Sequence, residues 1–239
     1  MWNHVNWQAA EIKPRERIII ALDVPSSEAA LALVRKLSPH AGLFKIGLQL
    51  YVAAGPDIVR AVRDLGGRIF LDLKLHDIPN TVARAVESAD SLGVEMLTIH
   101  LSGGRAMAEA AVRAAAPEML LLGVTVLTSA DETTLRETGV DSPMEEQVLR
   151  LARLGAESGI GGVIASAHEV APLRRAHGSK IKIVTPGIRP RGSSTDDQKR
   201  AMTPAEALKA GADFLVIGRP ITAAQNPRAA LEQLVADAV

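Results

Sequence analysis

Apolar and polar positions along this chain repeat in a two-part rhythm. Short runs rich in leucine and β-branched residues occupy Arg17–Leu22, Leu43–Ile46, Arg68–Leu73, Val94–Ile99, Leu120–Leu127, Gly162–Ala165, Ile181–Thr185 and Asp213–Ile217. Their length and composition predict buried strands. Between them, apolar residues recur at helical spacing. Ser26–Leu37 opens with Ser-Ser-Glu capping chemistry and then sets Leu31, Val34 and Leu37 on one side. Pro56–Leu65 does the same with Ile58, Val59, Val62 and Leu65, and Thr81–Leu92, Gly104–Ala116, Met144–Ser158 and Thr203–Ala210 follow suit. Strand then helix, repeated along the chain, predicts parallel strands joined by crossover helices.

The first five strands begin about every 26 residues, and eight such units fill the 239-residue chain. That spacing predicts an α/β fold, a single-domain (β/α)8 TIM barrel over residues 17–239, with residues 1–16 as an N-terminal arm. An open doubly wound sheet would bring a glycine-rich turn after its first strand. Here that turn, Leu22-Asp23-Val24-Pro25-Ser26, has no glycine. Two intervals break the rhythm: Ser129–Val140 and the polar, Gly- and Pro-containing Pro186–Met202. Long irregular connections of this kind in a compact domain commonly serve as lids.

One run is unlike the others. Phe70-Leu71-Asp72-Leu73-Lys74-Leu75-His76-Asp77-Ile78-Pro79-Asn80-Thr81 begins as a buried strand but soon carries three charges and a histidine. In an extended chain Asp72 and Lys74 share one face, while Leu71, Leu73 and Leu75 share the other. Burying either charge alone costs several kcal/mol, so the two must satisfy each other or do chemistry.

The active sites of such barrels lie at the C-terminal ends of the strands. Polar groups fall there on seven of the eight: Asp23, Lys45, Asp72 with Lys74 and Asp77, His100 before Ser102-Gly103-Gly104, Thr128-Ser129, Gly187 and Arg189, and Gly218-Arg219. Taken singly, Asp23 reads as a turn organiser, whereas Asp72–Lys74 reads either as a structural ion pair or as a functional one. Lys45 has no sheet edge to snorkel from in a closed barrel. Arg189 and Arg219 follow strands 7 and 8, where such barrels hold phosphate, and Gly218 lets the backbone approach an anion.

Composition narrows the chemistry. Lys plus Arg and Asp plus Glu number 27 each, so there is no basic excess for nucleic acid. The absence of cysteine excludes disulfides, thiolate metal sites and cysteine nucleophiles. Six scattered histidines offer no histidine metal site, although a carboxylate-held Mg2+ stays open. No apolar run approaches the roughly 18 residues of a membrane span, and the first residues lack a signal-peptide core, so a cytoplasmic protein is expected.

The motif Asp72-x-Lys74-x-x-Asp77 within Leu71–Thr81 (LDLKLHDIPNT) resembles the orotidine 5′-phosphate decarboxylase family, of the bacterial type. So do Ala21-Leu22-Asp23, Phe44-Lys45-Ile46-Gly47, Leu127-Thr128-Ser129, Pro186-Gly187-Ile188-Arg189, Asp196-Asp197-Gln198 and Leu215–Arg219, in order from about Ile18 to Ile221. The resemblance implies decarboxylation of orotidine 5′-monophosphate to UMP and CO2, with neither metal nor organic cofactor. It implies Lys74 as cation and proton donor, with Asp72, Asp77 and Lys45 as the other catalytic charges. It assigns Asp23 and Lys45 to the ribose, Thr128 and Ser129 to the pyrimidine, and Arg189, Gly218 and Arg219 to the phosphate. Gln198 would bridge phosphate and base from the lid. It also implies a homodimer in which Asp77, Ile78 and Thr81 reach the neighbouring site. The rival readings are an Mg2+-dependent sugar-phosphate decarboxylase or aldolase, a Schiff-base lysine enzyme, and a catalytically silent nucleotide sensor.

Overall fold

Each apolar run forms a strand: β1 (Ile18–Ala21), β2 (Leu43–Gly47), β3 (Ile69–Leu75), β4 (Met96–His100), β5 (Leu120–Val124), β6 (Gly162–Ile164), β7 (Lys182–Pro186) and β8 (Phe214–Ile217). In the computed structural model, which describes residues 12–189 and 202–238, they pair in sequence order, all parallel. β1 pairs with β8, Ile19 opposite Val216, and closes the barrel. The described helices are α1 (Ser27–Leu37), α2 (Leu48–Ala54), α3 (Asp57–Asp64), α4 (Pro79–Ser91), α5 (Gly104–Ala114), α6 (Glu132–Glu137), α7 (Met144–Glu157), α8 (Val170–His177), α9 (Pro204–Ala210), α10 (Arg219–Thr222) and α11 (Pro227–Ala236).

Side-chain alternation sorts the strand residues into two apolar layers. Ile19 and Ala21, Leu43, Phe70, Met96, Leu120 and Leu122, Val184, and Phe214 and Val216 form one buried cluster, which fills the barrel interior. Ile12 packs against it, and a 3-10 turn at Pro14–Arg17 leads into β1. The residues between them, such as Ile18, Ile20, Phe44, Ile46, Leu71, Leu97 and Ile99, join the helices in the larger cluster around it.

Helices α1, α3, α4, α5, α7 and α9 match the segments named from helical spacing; α2, α6, α8, α10 and α11 lie outside those segments. The reasons are local. α2 is seven residues long, and two of its apolar residues, Leu48 and Val52, face solvent. α6 buries only Leu135 and is held at its start by Asp131, whose side chain accepts from the Thr134 N–H at 2.9 Å. α8 carries a proline in its first turn. β5 is shorter than its apolar run, because the ladder with β6 ends at Val124 opposite Ile164.

β3 departs from regular pairing where it matters most. Leu71 lies opposite Leu97, yet the next partners are Leu75 and Ile99. Four residues of β3 thus span what two residues of β4 span. Within this bulge Lys74 has φ of 52°, the one positive φ at a non-glycine among the described residues. Asp72 and Lys74 do meet, but through a bulge and not through the plain two-residue alternation expected from sequence.

Candidate active site

The row of inward-pointing residues that fills the barrel turns polar at its C-terminal end. Lys45 follows Leu43 on β2, Asp72 follows Phe70 on β3 and Thr98 follows Met96 on β4, each one interior step further along. Ala21 leads to Asp23 and Val216 to Gly218 in the same way. Of these, Ala21, Asp23, Lys45, Phe70, Asp72, Val216 and Gly218 line a cleft of about 520 Å3 at that end, together with Lys74, Val124, Val126, Leu127, Thr128, Ile164, Pro186, Gly187, Arg189, Arg219 and Thr222, while Thr98 lies beneath it.

Four charges run across one side of it. Lys45 Nζ donates to Asp23 Oδ1 at 2.9 Å and lies 3.7 Å from Asp72 Oδ2. Lys74 Nζ donates to both Asp72 oxygens, at 2.8 and 2.9 Å. The order is therefore Asp23, Lys45, Asp72, Lys74, carboxylate and ammonium in alternation. Asp72 and Lys45 sit deepest, with side chains 13% and 11% exposed, while Asp23 at 61% faces the cleft mouth. At such depth an unpaired charge costs several kcal/mol, and each inner charge has an opposite one at hand. Gly47 leaves room for this row: a Cβ there would stand 3.0 Å from Lys45 Nζ and 3.4 Å from Asp23 Oδ1.

Behind the row stand two histidines whose ring centroids are 5.4 Å apart, His76 and His100. Burial holds the His100 pKa below its ordinary 6.5, and the nearby His76 and Lys74 push it the same way. A neutral His100 adds no second cation beside Lys74.

Beyond Asp23 the cleft wall carries Gly218, Arg219 and Thr222 around the start of α10, and Pro186, Gly187 and Arg189 after β7. The ends of the long connection are tied here, with Ile188 bridged to Met202 and the Arg189 N–H donating to the Met202 carbonyl at 3.1 Å.

A family model described as "Orotidine 5′-phosphate decarboxylase / HUMPS family" matches residues 16–234. The chain belongs to this family. Its relatives include the orotidine 5′-phosphate decarboxylase of Syntrophotalea carbinolica, 53% identical over 94% of this chain and 95% of the relative. That of Moorella thermoacetica is also 53% identical, over 93% of this chain and 92% of the relative. Among solved structures, orotidine 5′-phosphate decarboxylase from Lactobacillus acidophilus superposes with a TM-score of 0.82 at 37% identity, covering 92% of this chain and 98% of that one.

For a member of the orotidine 5′-phosphate decarboxylase / HUMPS family, the residues expected from sequence fall into three groups. Asp23, Lys45, Asp72, Lys74, Thr128, Arg189, Gly218 and Arg219 line the one cleft. Asp77, Ile78, Thr81 and Ser129 are exposed and outside its lining. Asp77 accepts from the Ile78 N–H at 2.6 Å and makes no described ion pair with Lys74. Gln198 lies outside the described residues.

Sequence reasoning missed two polar residues. Thr222 lines the cleft beside Arg219, from the last turn of α10. Thr98, fully buried, binds Asp72 and the Lys74 backbone. Its inward parity with Met96, one strand from Asp72, is the signal that marks it.

Proposed function

We propose that this chain decarboxylates orotidine 5′-monophosphate to UMP and CO2, the last step of de novo UMP biosynthesis, using its own side chains without metal or organic cofactor. The observation that carries this reading is the convergence, in one cleft, of the Asp23–Lys45–Asp72–Lys74 row with Arg189, Gly218 and Arg219. One wall suits a phosphate. The other offers an ammonium fixed by a carboxylate where negative charge can form.

The chemistry demands such an ammonium. When the bond between C6 and its carboxylate breaks, CO2 departs and the electron pair stays on C6, in the ring plane and without an adjacent π system. A preorganised cation stabilises charge that develops only in the transition state. Lys74 fills that role and then delivers a proton from Nζ to C6, giving UMP. Asp72 holds the Lys74 ammonium by both oxygens, and Lys45 keeps Asp72 in line from the other side. Asp23 and Lys45 hold the ribose hydroxyls, Thr128 and Ser129 face the pyrimidine, and Arg189, Gly218 and Arg219 take the phosphate. Phosphate binding far from the breaking bond then contributes order at the reacting centre.

Two features favour this reading over the sugar-phosphate one. Lys45 places an ammonium where an Mg2+ enzyme of that kind needs an acidic ligand. The curated relatives at 53% identity bear the decarboxylase name. A Schiff base at Lys74 needs a neutral amine, which Asp72 at 2.8 Å opposes.

The active unit of this reading is a homodimer joined at the rim of β2 and β3. Leu48 and Val52 on α2 and Ile78 after β3 are exposed large apolar residues on neighbouring connections at that rim. Grouped apolar exposure of this kind suits a protein interface. Asp77, Ile78 and Thr81, outside their own cleft, extend from this rim into the partner's.

The test is the absorbance change of orotidine 5′-monophosphate with purified protein in excess EDTA. Turnover to UMP is expected. Tight UMP binding without turnover would leave the silent sensor standing, and turnover only after added Mg2+ would favour the metal-dependent relatives.

A further inference from the structure

Lys74 is held in an unfavourable backbone conformation, and one side chain outside the charge row holds it there. At φ of 52° it is in the left-handed region, which is unfavourable for a residue with a Cβ. Conformations of this kind persist only where the surroundings over-determine them. The bulge removes the Lys74 backbone from the regular β3–β4 ladder. Its N–H donates instead to Thr98 Oγ1 on β4, at 2.8 Å. The same hydroxyl donates to Asp72 Oδ1 at 3.0 Å. That carboxylate oxygen accepts from Lys74 Nζ at 2.8 Å, so three contacts close a ring of Thr98, Asp72 and Lys74. The hydroxyl uses its one proton on the carboxylate and a lone pair on the amide, an assignment that the donor and acceptor types fix. Thr98 itself is 0% exposed, so no water replaces these bonds at little cost.

We infer that Thr98 is a positioning residue for the decarboxylation proposed above: its hydroxyl locks the bulged backbone of Lys74 and the carboxylate of Asp72 into one geometry, and so aims the ammonium at C6. It lies outside the lining of the cleft. The inference rests on that functional reading and adds a residue that the charge pattern does not contain.

The geometry separates it from a packing role. A packing threonine is replaced without loss by valine, which has nearly the same shape, and is poorly replaced by serine. A threonine that acts through its hydroxyl shows the reverse order. Thr98→Val is therefore expected to lower kcat about 10- to 100-fold, the scale of a lost hydrogen bond to a charged group, with the UMP dissociation constant within about threefold of wild type. Thr98→Ser is expected to recover kcat to within about fivefold of wild type. If valine destabilises the fold, serine against alanine decides the matter, since both lack the γ-methyl and only serine keeps the hydroxyl. Equal kcat for Thr98→Ser and Thr98→Ala, or a Thr98→Val protein with wild-type kcat, would overturn the inference while the function stands. Wild-type protein with no turnover would instead overturn the function and the inference with it.

Discussion

Asp72 is the residue on which the others depend. It faces Lys45 on one side and Lys74 on the other, and accepts from Thr98 as well. Replacing it with asparagine leaves two largely buried ammonium groups facing a neutral amide. Loss of one partner from a buried pair costs about 3 kcal/mol or more, so Asp72→Asn should lower the urea midpoint as well as turnover. Gly47→Ala makes the opposite prediction. The added Cβ meets the flexible end of Lys45, so the fold should persist, while the Lys45–Asp23 contact shifts and KM rises. Urea titration beside KM separates the two variants. His100 sets a pH dependence. Its folded pKa lies below the ordinary 6.5, so the unfolded chain binds the extra proton first as pH falls. The stabilisation is complete above about pH 6.5 and is lost as pH falls through the depressed folded value. His100→Asn should flatten that part of a melting-temperature profile; an unchanged slope would assign it to other groups. Single residues were only partly legible beforehand. Charges at strand ends announce themselves, whereas Thr98 looks in sequence like one more β-branched residue in a strand.

At the scale of elements, β3 joins the fold to the chemistry. Its alternation of leucines and charges was readable because a closed barrel fixes which face looks inward. The bulge was not, since it depends on pairing with β4 and leaves no mark in the β3 sequence itself. Short elements were lost for similar reasons. The exposed apolar residues of α2 reverse the usual inward stripe, and α6 is too short and polar for periodicity to show. The stretch after β3 carries the prediction for this scale. Asp77, Ile78 and Thr81 stand outside their own cleft, and on the proposed dimer they complete the partner's. Mixing Asp77→Asn subunits with Lys74→Ala subunits should then restore activity in one of the two hybrid sites. No recovery after demonstrated subunit exchange would place Asp77 outside the shared site.

For the whole molecule, the order of eight strands was legible because each apolar run is short, buried and evenly spaced. Closure of the barrel then brings residues from Asp23 to Thr222 around one cleft, which no local pattern could place. The cleft unites an anion-suited wall with an alternating charge row, and the central claim is that Lys74 in that row is the cation on which decarboxylation depends. The most direct measurement is the turnover of orotidine 5′-monophosphate by Lys74→Ala beside wild type, in excess EDTA, with UMP binding and urea midpoint recorded on the same samples. Wild type should turn over, and the variant should stay folded and bind UMP while losing nearly all activity. A variant whose activity falls by less than about tenfold, roughly 1.4 kcal/mol of transition-state stabilisation, would contradict the account.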